Sequence, residues 1–204
     1  MNKTWTGAAA LALTLATTPA WADLDATVYA GWWRDGVLYG TSGDISFDAS
    51  AAIGSFVDPN VDHWNGSIYH RWAPYGRDEF YSVRWTGYLK TPTAGDYQFR
   101  VTSDDGAQLL LGGSKVVDAP ELQWYATTTS QTLTLAATTT ALELRFYENA
   151  VYDGIRLEWL TPGAADWAVI PASALVTTVP EPASWALLLG GAALIGTRLR
   201  RRAD

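Results

Sequence analysis

Residues 80–111 read FYSVRWTGYL (80–89), KTPTAGD (90–96) and YQFRVTSDDGAQLLL (97–111). In the first run Tyr81, Val83, Trp85 and Leu89 share one face of an extended chain, and Ser82, Arg84, Thr86 and Lys90 share the other. In the third run Tyr97, Phe99 and Val101 alternate with Gln98, Arg100 and Thr102. Alternation with period two marks half-buried strands, and the Pro92/Gly95 punctuation between them reads as the turn of a β-hairpin. The second strand then runs into Ser103-Asp104-Asp105-Gly106. Two adjacent carboxylates at a strand end are not a packing solution; they are a turn or a metal loop.

The same period recurs on both sides of this stretch. Thr27 to Trp33 reads as a strand, Asp35-Gly36 as a turn and Ile45-Ser46-Phe47 as a short extended piece. Val57 to Gly76 is polar and aromatic, a long loop or a set of short strands, and a structured loop of this length usually has a role. Asp118 to Thr128 is a second connection, and Thr132 to Leu135, Leu142 to Phe146 and Ile155 to Trp159 alternate again. Many short strands between turn signals, with no helical period before Ala183, predict an all-β sandwich or barrel.

The ends differ from this pattern. Residues 1–22 carry Lys3, a small apolar run from Gly7 to Ala16, and Pro19-Ala20-Trp21-Ala22, the pattern of a secretory signal peptide cut after Ala22. The segment is too short and too rich in Ala and Thr for a membrane span. At the other end Pro180, Glu181 and Pro182 precede an apolar run from Ala183 to Ile195, with a helix expected over about 183–197 and a basic tail over 198–202. That run is marginal for a hydrocarbon core of about 30 Å. Gly190-Gly191 weakens it as a lasting anchor, and the arginines hold the tail on the cytoplasmic side. Transient membrane insertion fits better than a permanent C-terminal anchor, the alternative reading. The expected division is therefore a signal peptide over 1–22, one domain over 23–175, and a linker with the apolar run and basic tail over 176–204.

Residues 23–179 hold nine basic and nineteen acidic side chains, a net charge of −10 against −7 for the whole chain. A surface this acidic argues against nucleic acid, which rewards basic patches, and is compatible with a bound cation. The absence of cysteine excludes a thiolate metal site and a Cys nucleophile. No Gly-x-Ser-x-Gly elbow, helical His-Glu-x-x-His or Gly-rich phosphate loop occurs. His63 and His70 read as surface or loop histidines. The chain reads as non-enzymatic.

Ser82 to Tyr88, Gly95 to Phe99 and Ser103-Asp104-Asp105-Gly106, followed by Leu142 to Asn149 and Gly154 to Trp159, resemble the PA14 domain family over roughly residues 26–171. The resemblance implies a β-sandwich that is often a carbohydrate-binding or adhesion module. The Pro-Glu-Pro motif, short apolar run and arginines resemble a PEP-CTERM sorting signal. This second resemblance implies processing by an exosortase-type enzyme of a Gram-negative bacterium, often one that makes exopolysaccharide.

Calcium takes six to eight hard oxygens from carboxylates, amides, backbone carbonyls and water. In the lectin-like branch of the PA14 family two Asp joined by a cis peptide supply carboxylates, and a second loop supplies an Asn side chain and backbone carbonyls. Carried over residue by residue, this implies Asp104, Asp105 and Asn149 as side-chain ligands, with Val151 and Asp153 giving backbone carbonyls. Asp153 departs from the pattern: its carboxylate would coordinate directly or sit in solvent. The alternative for Asp104-Asp105-Gly106 is a plain turn, since Asp and Gly are ordinary turn residues.

A sugar over that ion would engage Asp104, Asp105 and Asn149, with Tyr152 and Trp124 among the aromatic rings available for stacking. Trp85 and Trp159 fall at alternating strand positions and read as core, whereas Trp64, Trp72 and Trp124 are open to both readings. The leading expectation is an exported, calcium-dependent carbohydrate-binding or adhesion protein that recognises a glycan or exopolysaccharide at the cell surface, outer membrane or extracellular matrix. The alternatives are a structural or protein-binding surface protein and an accessory module of a glycan-processing system.

Overall fold

The computed structural model describes residues 23–177. The signal peptide, Pro180-Glu181-Pro182, the apolar helix and the basic tail lie outside the described residues. Among the described residues no helix is long and apolar enough to cross a membrane.

Fifteen strands follow in order: β1 (Leu24–Ala30), β2 (Trp33–Arg34), β3 (Val37–Leu38), β4 (Ile45–Ser46), β5 (Ala52–Asp58), β6 (Tyr81–Lys90), β7 (Gly95–Asp104), β8 (Ala107–Leu111), β9 (Ser114–Ala119), β10 (Ala126–Thr129), β11 (Leu133–Leu135), β12 (Thr139–Glu148), β13 (Gly154–Leu160), β14 (Ala168–Val169) and β15 (Leu175–Val176). They form an antiparallel sandwich. One sheet runs β5-β1-β6-β12-β8-β9, with β15 on β6; the other runs β10-β7-β13-β14, with β11 on β7. A small sheet, β3-β2-β4, stands beside them. Val176, expected to open the linker, is buried and pairs with Tyr88.

The sandwich core follows from the alternation. Tyr81, Val83, Trp85 and Leu89 of β6, Leu142, Leu144 and Phe146 of β12, and Ala107, Leu109 and Leu111 of β8 are buried from one sheet. Tyr97, Phe99 and Val101 of β7, with Ile155, Leu157 and Trp159 of β13, are buried from the other. Each large side chain so buried contributes about 1.5–3 kcal/mol relative to exposure.

The hairpin expected between β6 and β7 is not one. β6 pairs with β1, β12 and β15, while β7 pairs with β10, β11 and β13. The turn at Thr91–Ala94 is an arch that carries the chain from one sheet to the other. Alternation shows that each strand has one apolar face but does not say whether two faces lie side by side or opposite. Here they are opposed across the core. The arch is pinned from outside: Thr91 Oγ1 donates to Ala136 O (2.6 Å), and the Tyr97 hydroxyl donates to Thr93 O (2.8 Å).

Two further crossings lie side by side at one end of the sandwich. Asp105-Gly106 takes the chain from β7 back to β8, and residues 149–153 take it from β12 to β13. Register holds them together, since Asp104 pairs with Gly154 and Ala107 with Phe146, and Tyr147 N–H donates to Gly106 O at 3.1 Å. Gly106 is required by close approach: a Cβ there would lie 2.4 Å from Tyr147 Cε1 and 2.9 Å from Pro120 O.

Candidate functional site

The paired crossings bring Asp104, Asp105, Asn149 and Val151 to one cleft. The peptide between Asp104 and Asp105 is cis. Asp105 accepts from Gln123 N–H at Oδ1 (3.0 Å) and from Asn149 N–H at Oδ2 (2.8 Å), so it ties the 119–125 connection to the 149–153 loop. Gln123 also donates through Nε2 to Ser103 Oγ (3.2 Å) and to Asp105 O (3.2 Å). Asn149 turns its amide oxygen toward Trp32 Nε1, which donates at 3.3 Å, and Trp32 stacks on Tyr147 with ring centroids 4.6 Å apart. The residue just before β2 thus supports the second loop.

The site is acidic and largely buried. Burial, then the charges of Asp105 and Asp153, push the Asp104 carboxyl up to about 7. Burial pushes Asp105 up to about 6 against the stabilising N–H groups of Asn149 and Gln123. Sequence reasoning missed a third carboxyl. Glu148 is fully buried, neither of its carboxylate oxygens has a hydrogen-bond partner, and oxygens of Asp104, Asp105 and Glu148 all lie within 4.8 Å of one another. Burial, then the charges of Asp105 and Asp104, push Glu148 up to about 10. The signal was present in the alternation: Glu148 continues the inward-facing row Leu142, Leu144, Phe146, where an acid has no packing reason to be.

Asp153 is placed otherwise than expected. Its carboxylate neither faces solvent nor joins the three-carboxylate cluster. It is fully buried and accepts from Trp72 N–H, from Ala73 N–H (3.3 Å) and from the Tyr81 hydroxyl, because the 59–76 segment folds over this end of β13. Its backbone carbonyl accepts from the Tyr125 hydroxyl. Val151 holds φ +88, a left-handed conformation that β-branched residues seldom adopt, in the loop that rims the site.

The aromatic residues sort by burial. Trp85 and Trp159 are core. Trp72 packs on the core, its ring stacked 3.9 Å from His63 and 5.7 Å from Trp85. His63 is a half-buried loop residue whose Nε2 lies 2.7 Å from Asp58 Oδ2, so it does not face solvent as a surface histidine would. Trp64 stacks on Tyr125 behind the site. Trp124 alone of the three open cases is exposed, at 66%, and it flanks an open cleft of about 290 Å³. Asp104, Asp105 and Asn149 line that cleft with Gln123, and exposed Leu122 and Val151 share its apolar rim. Tyr152 stands beside it, its ring 6.4 Å from that of Trp124.

The oxygen-only donor set, three close carboxylates with Asn149 lining the same cleft as Asp104 and Asp105, fits a hard cation such as calcium. The orphaned Glu148 carboxylate points the same way, since buried polar groups are otherwise satisfied.

A family model of the PA14 domain matches residues 34–171. The chain belongs to the PA14 domain family. A second model, the PEP-CTERM protein-sorting motif, matches residues 178–202. No curated protein matches the chain. Among solved structures, the PA14 domain of the MpAFP antifreeze protein is 17% identical with a TM-score of 0.62, over 89% of this chain and 98% of that one. The PA14 sugar-binding domain of an RTX adhesin is 21% identical with a TM-score of 0.56, over 76% and 98%. The Epithelial Adhesin 6 A domain of Candida glabrata, solved with Galb1-3GlcNAc, is 12% identical with a TM-score of 0.55, over 81% and 91%. The chain spans about half the length, 49% and 53%, of two anti-sigma factor domain-containing proteins, one from Clostridium clariflavum. At these identities the likenesses show the PA14 sandwich and nothing finer.

Proposed function

We propose that this PA14 protein is an exported carbohydrate-binding adhesion protein that holds a glycan or exopolysaccharide over a calcium ion at the Asp104–Asp105 cleft. In this reading residues 1–22 are removed on export and the sandwich through β15 forms the binding domain. The apolar run over about 183–197 inserts transiently in the inner membrane, while an exosortase-type enzyme reads Pro180-Glu181-Pro182. The product is displayed on the cell surface, the outer membrane or in the extracellular matrix.

The cleft carries the reading. Its acidic floor faces an exposed Trp124, and sugar sites pair a few polar groups with an apolar or aromatic wall. Asp104, Asp105 and the Asn149 amide would hold the ion, with backbone carbonyls of Val151 and Asp153 completing the shell. The ion would supply positive charge that polarises vicinal hydroxyls, while carboxylate oxygens accept their protons. The RTX adhesin domain is a sugar-binding domain and the Candida glabrata domain was solved with Galb1-3GlcNAc, which supports the same use of this fold. The role is binding, not catalysis. Asp104 and Asp105 are neighbours on one loop, whereas glycoside hydrolysis needs two carboxyls set across the scissile bond.

Chromatography on immobilised bacterial polysaccharides tests this directly. Retention in calcium with elution by EDTA is expected. Flow-through under both conditions, or retention that EDTA does not disturb, would contradict the calcium-held glycan.

A further inference from the structure

We propose that Glu148 is a third carboxylate ligand of the cation at Asp104 and Asp105, which makes the site a three-carboxylate centre. The inference rests on the calcium reading above and extends it to a residue outside the expected ligand set.

Three observations carry it. The Glu148 side chain points inward from the last residue of β12, continuing the row that buries Leu144 and Phe146, and it is fully buried. Neither carboxylate oxygen has a donor, although Tyr81 and Tyr147, the strand residues nearest it in register and sequence, both carry hydroxyls. Those hydroxyls are spent elsewhere: Tyr81 donates to Asp153 and Tyr147 to Pro120 O (2.9 Å). The fold thus leaves a buried acid unserved while satisfying the polar groups around it. Protonation would give one oxygen a hydrogen to donate and still leave the other oxygen without a donor.

What the acid does face is the aspartate pair. One oxygen from each of the three carboxyls lies within 4.8 Å of the other two. Oxygens bound to one calcium sit about 2.3–2.6 Å from it, so two of them can be at most about 5 Å apart. The observed spacing therefore suits one shared ion. Three carboxylates gathered at a buried site can all be ionised together only with a cation among them. The Asn149 amide, held by Trp32, then rims the ion while Glu148 closes it from the core side.

The experiment compares the full-length protein with Glu148→Gln, which keeps shape and removes charge. Calcium affinity is measured by calorimetry, and coordinated waters are counted from terbium luminescence lifetimes in H2O and D2O. The variant is expected to fold, to melt no lower than wild type in chelator, and to lose calcium affinity by about a hundredfold or more, beyond the loss of an outer-shell partner. It should also hold about one more water on terbium, in the place a ligand left open. Wild type that binds calcium beside a variant with unchanged affinity and water count would overturn Glu148 as a ligand and leave the Asp104–Asp105 site standing. Wild type that binds neither ion would overturn both readings together.

Discussion

Asp105 Oδ2 accepts the backbone N–H of Asn149 at 2.8 Å, so one carboxylate joins the two loops that cross between the sheets at the same end of the sandwich. Its other oxygen takes Gln123 N–H at 3.0 Å. A side chain that serves as a clamp in this way fixes the loop geometry before any ligand arrives. Asp104, which takes a backbone hydrogen bond from Tyr125 and does not join the two loops, is the better probe of the ion itself.

Calcium is expected to raise the melting temperature of the protein, because a ligand that binds only the folded state stabilises it by mass action. At about a hundredfold above the dissociation constant the gain is about 2.7 kcal/mol, or about 5–10 °C for a domain of this size. Asp104→Asn should abolish the shift without lowering stability in chelator, since it removes repulsion from a site already crowded with acids. Scanning fluorimetry across a calcium series checks this; an undiminished shift in Asp104→Asn would move the ion elsewhere.

The pH dependence has a definite sign. Asp104, Asp105 and Glu148 are raised to about 7, 6 and 10, so the folded chain holds protons that the unfolded chain releases near pH 4. Their contribution to stability is fully present below the unfolded values and is lost as pH rises through the folded ones. The metal-free melting temperature should therefore fall from about pH 5 to pH 8. The surface acids held down by ion pairs, such as Asp44 and Glu143, titrate below that window. Calcium affinity should rise over the same range, because its ligands must be deprotonated. Thermal melts at stepped pH in chelator read the sign, and a metal-free protein that grew more stable toward pH 8 would contradict it.

Asp153 is expected to act on the fold and not on the ion through its side chain. Asp153→Ala strips acceptors from Trp72 N–H, Ala73 N–H and the Tyr81 hydroxyl, all at the join between the 59–76 segment and β13. The cost should be at least about 3 kcal/mol, since each buried donor left unpaired costs about 1–3 kcal/mol. Urea unfolding in chelator measures it. A loss below 1 kcal/mol, within the range of an ordinary surface substitution, would show that this carboxylate is not the anchor.

The sandwich was legible because alternation names the buried face of each strand: Val83 and Trp85, Phe99 and Val101, Leu144 and Phe146 were all assigned correctly from sequence. Pairing was not legible. The arch at Thr91–Ala94 and a true hairpin share the same local residues, and what separates them is the long-range contact of Thr91 with Ala136. At the site, the adjacency of Asp104, Asp105 and Asn149 could be inferred from motif resemblance. The burial of Asp153 could not, because it depends on a loop about 80 residues earlier in the chain. Glu148 stood at a core-facing parity position that period-two reading could have marked, yet an acid at a strand end passes easily for a surface residue.

Sorting is expected to depend on Pro180, Glu181 and Pro182, within the matched PEP-CTERM motif. Replacing all three by Ala should leave an uncleaved, membrane-retained precursor, because the processing enzyme must read that motif ahead of the apolar run. Immunoblots of membrane and medium fractions decide it, and equal release of mutant and wild type would contradict the sorting role.

A glycan array probed with the protein, once in calcium and once in excess chelator, tests calcium-held glycan recognition most directly, with Trp124→Ala as the control for the cleft wall. Binding to a set of glycans in calcium, its loss in chelator, and a drop of about tenfold for Trp124→Ala with calcium affinity intact are the expected results, given about 1.4 kcal/mol for a lost aromatic contact. Glycans that bind equally well in chelator would contradict recognition through the Asp104–Asp105 cleft.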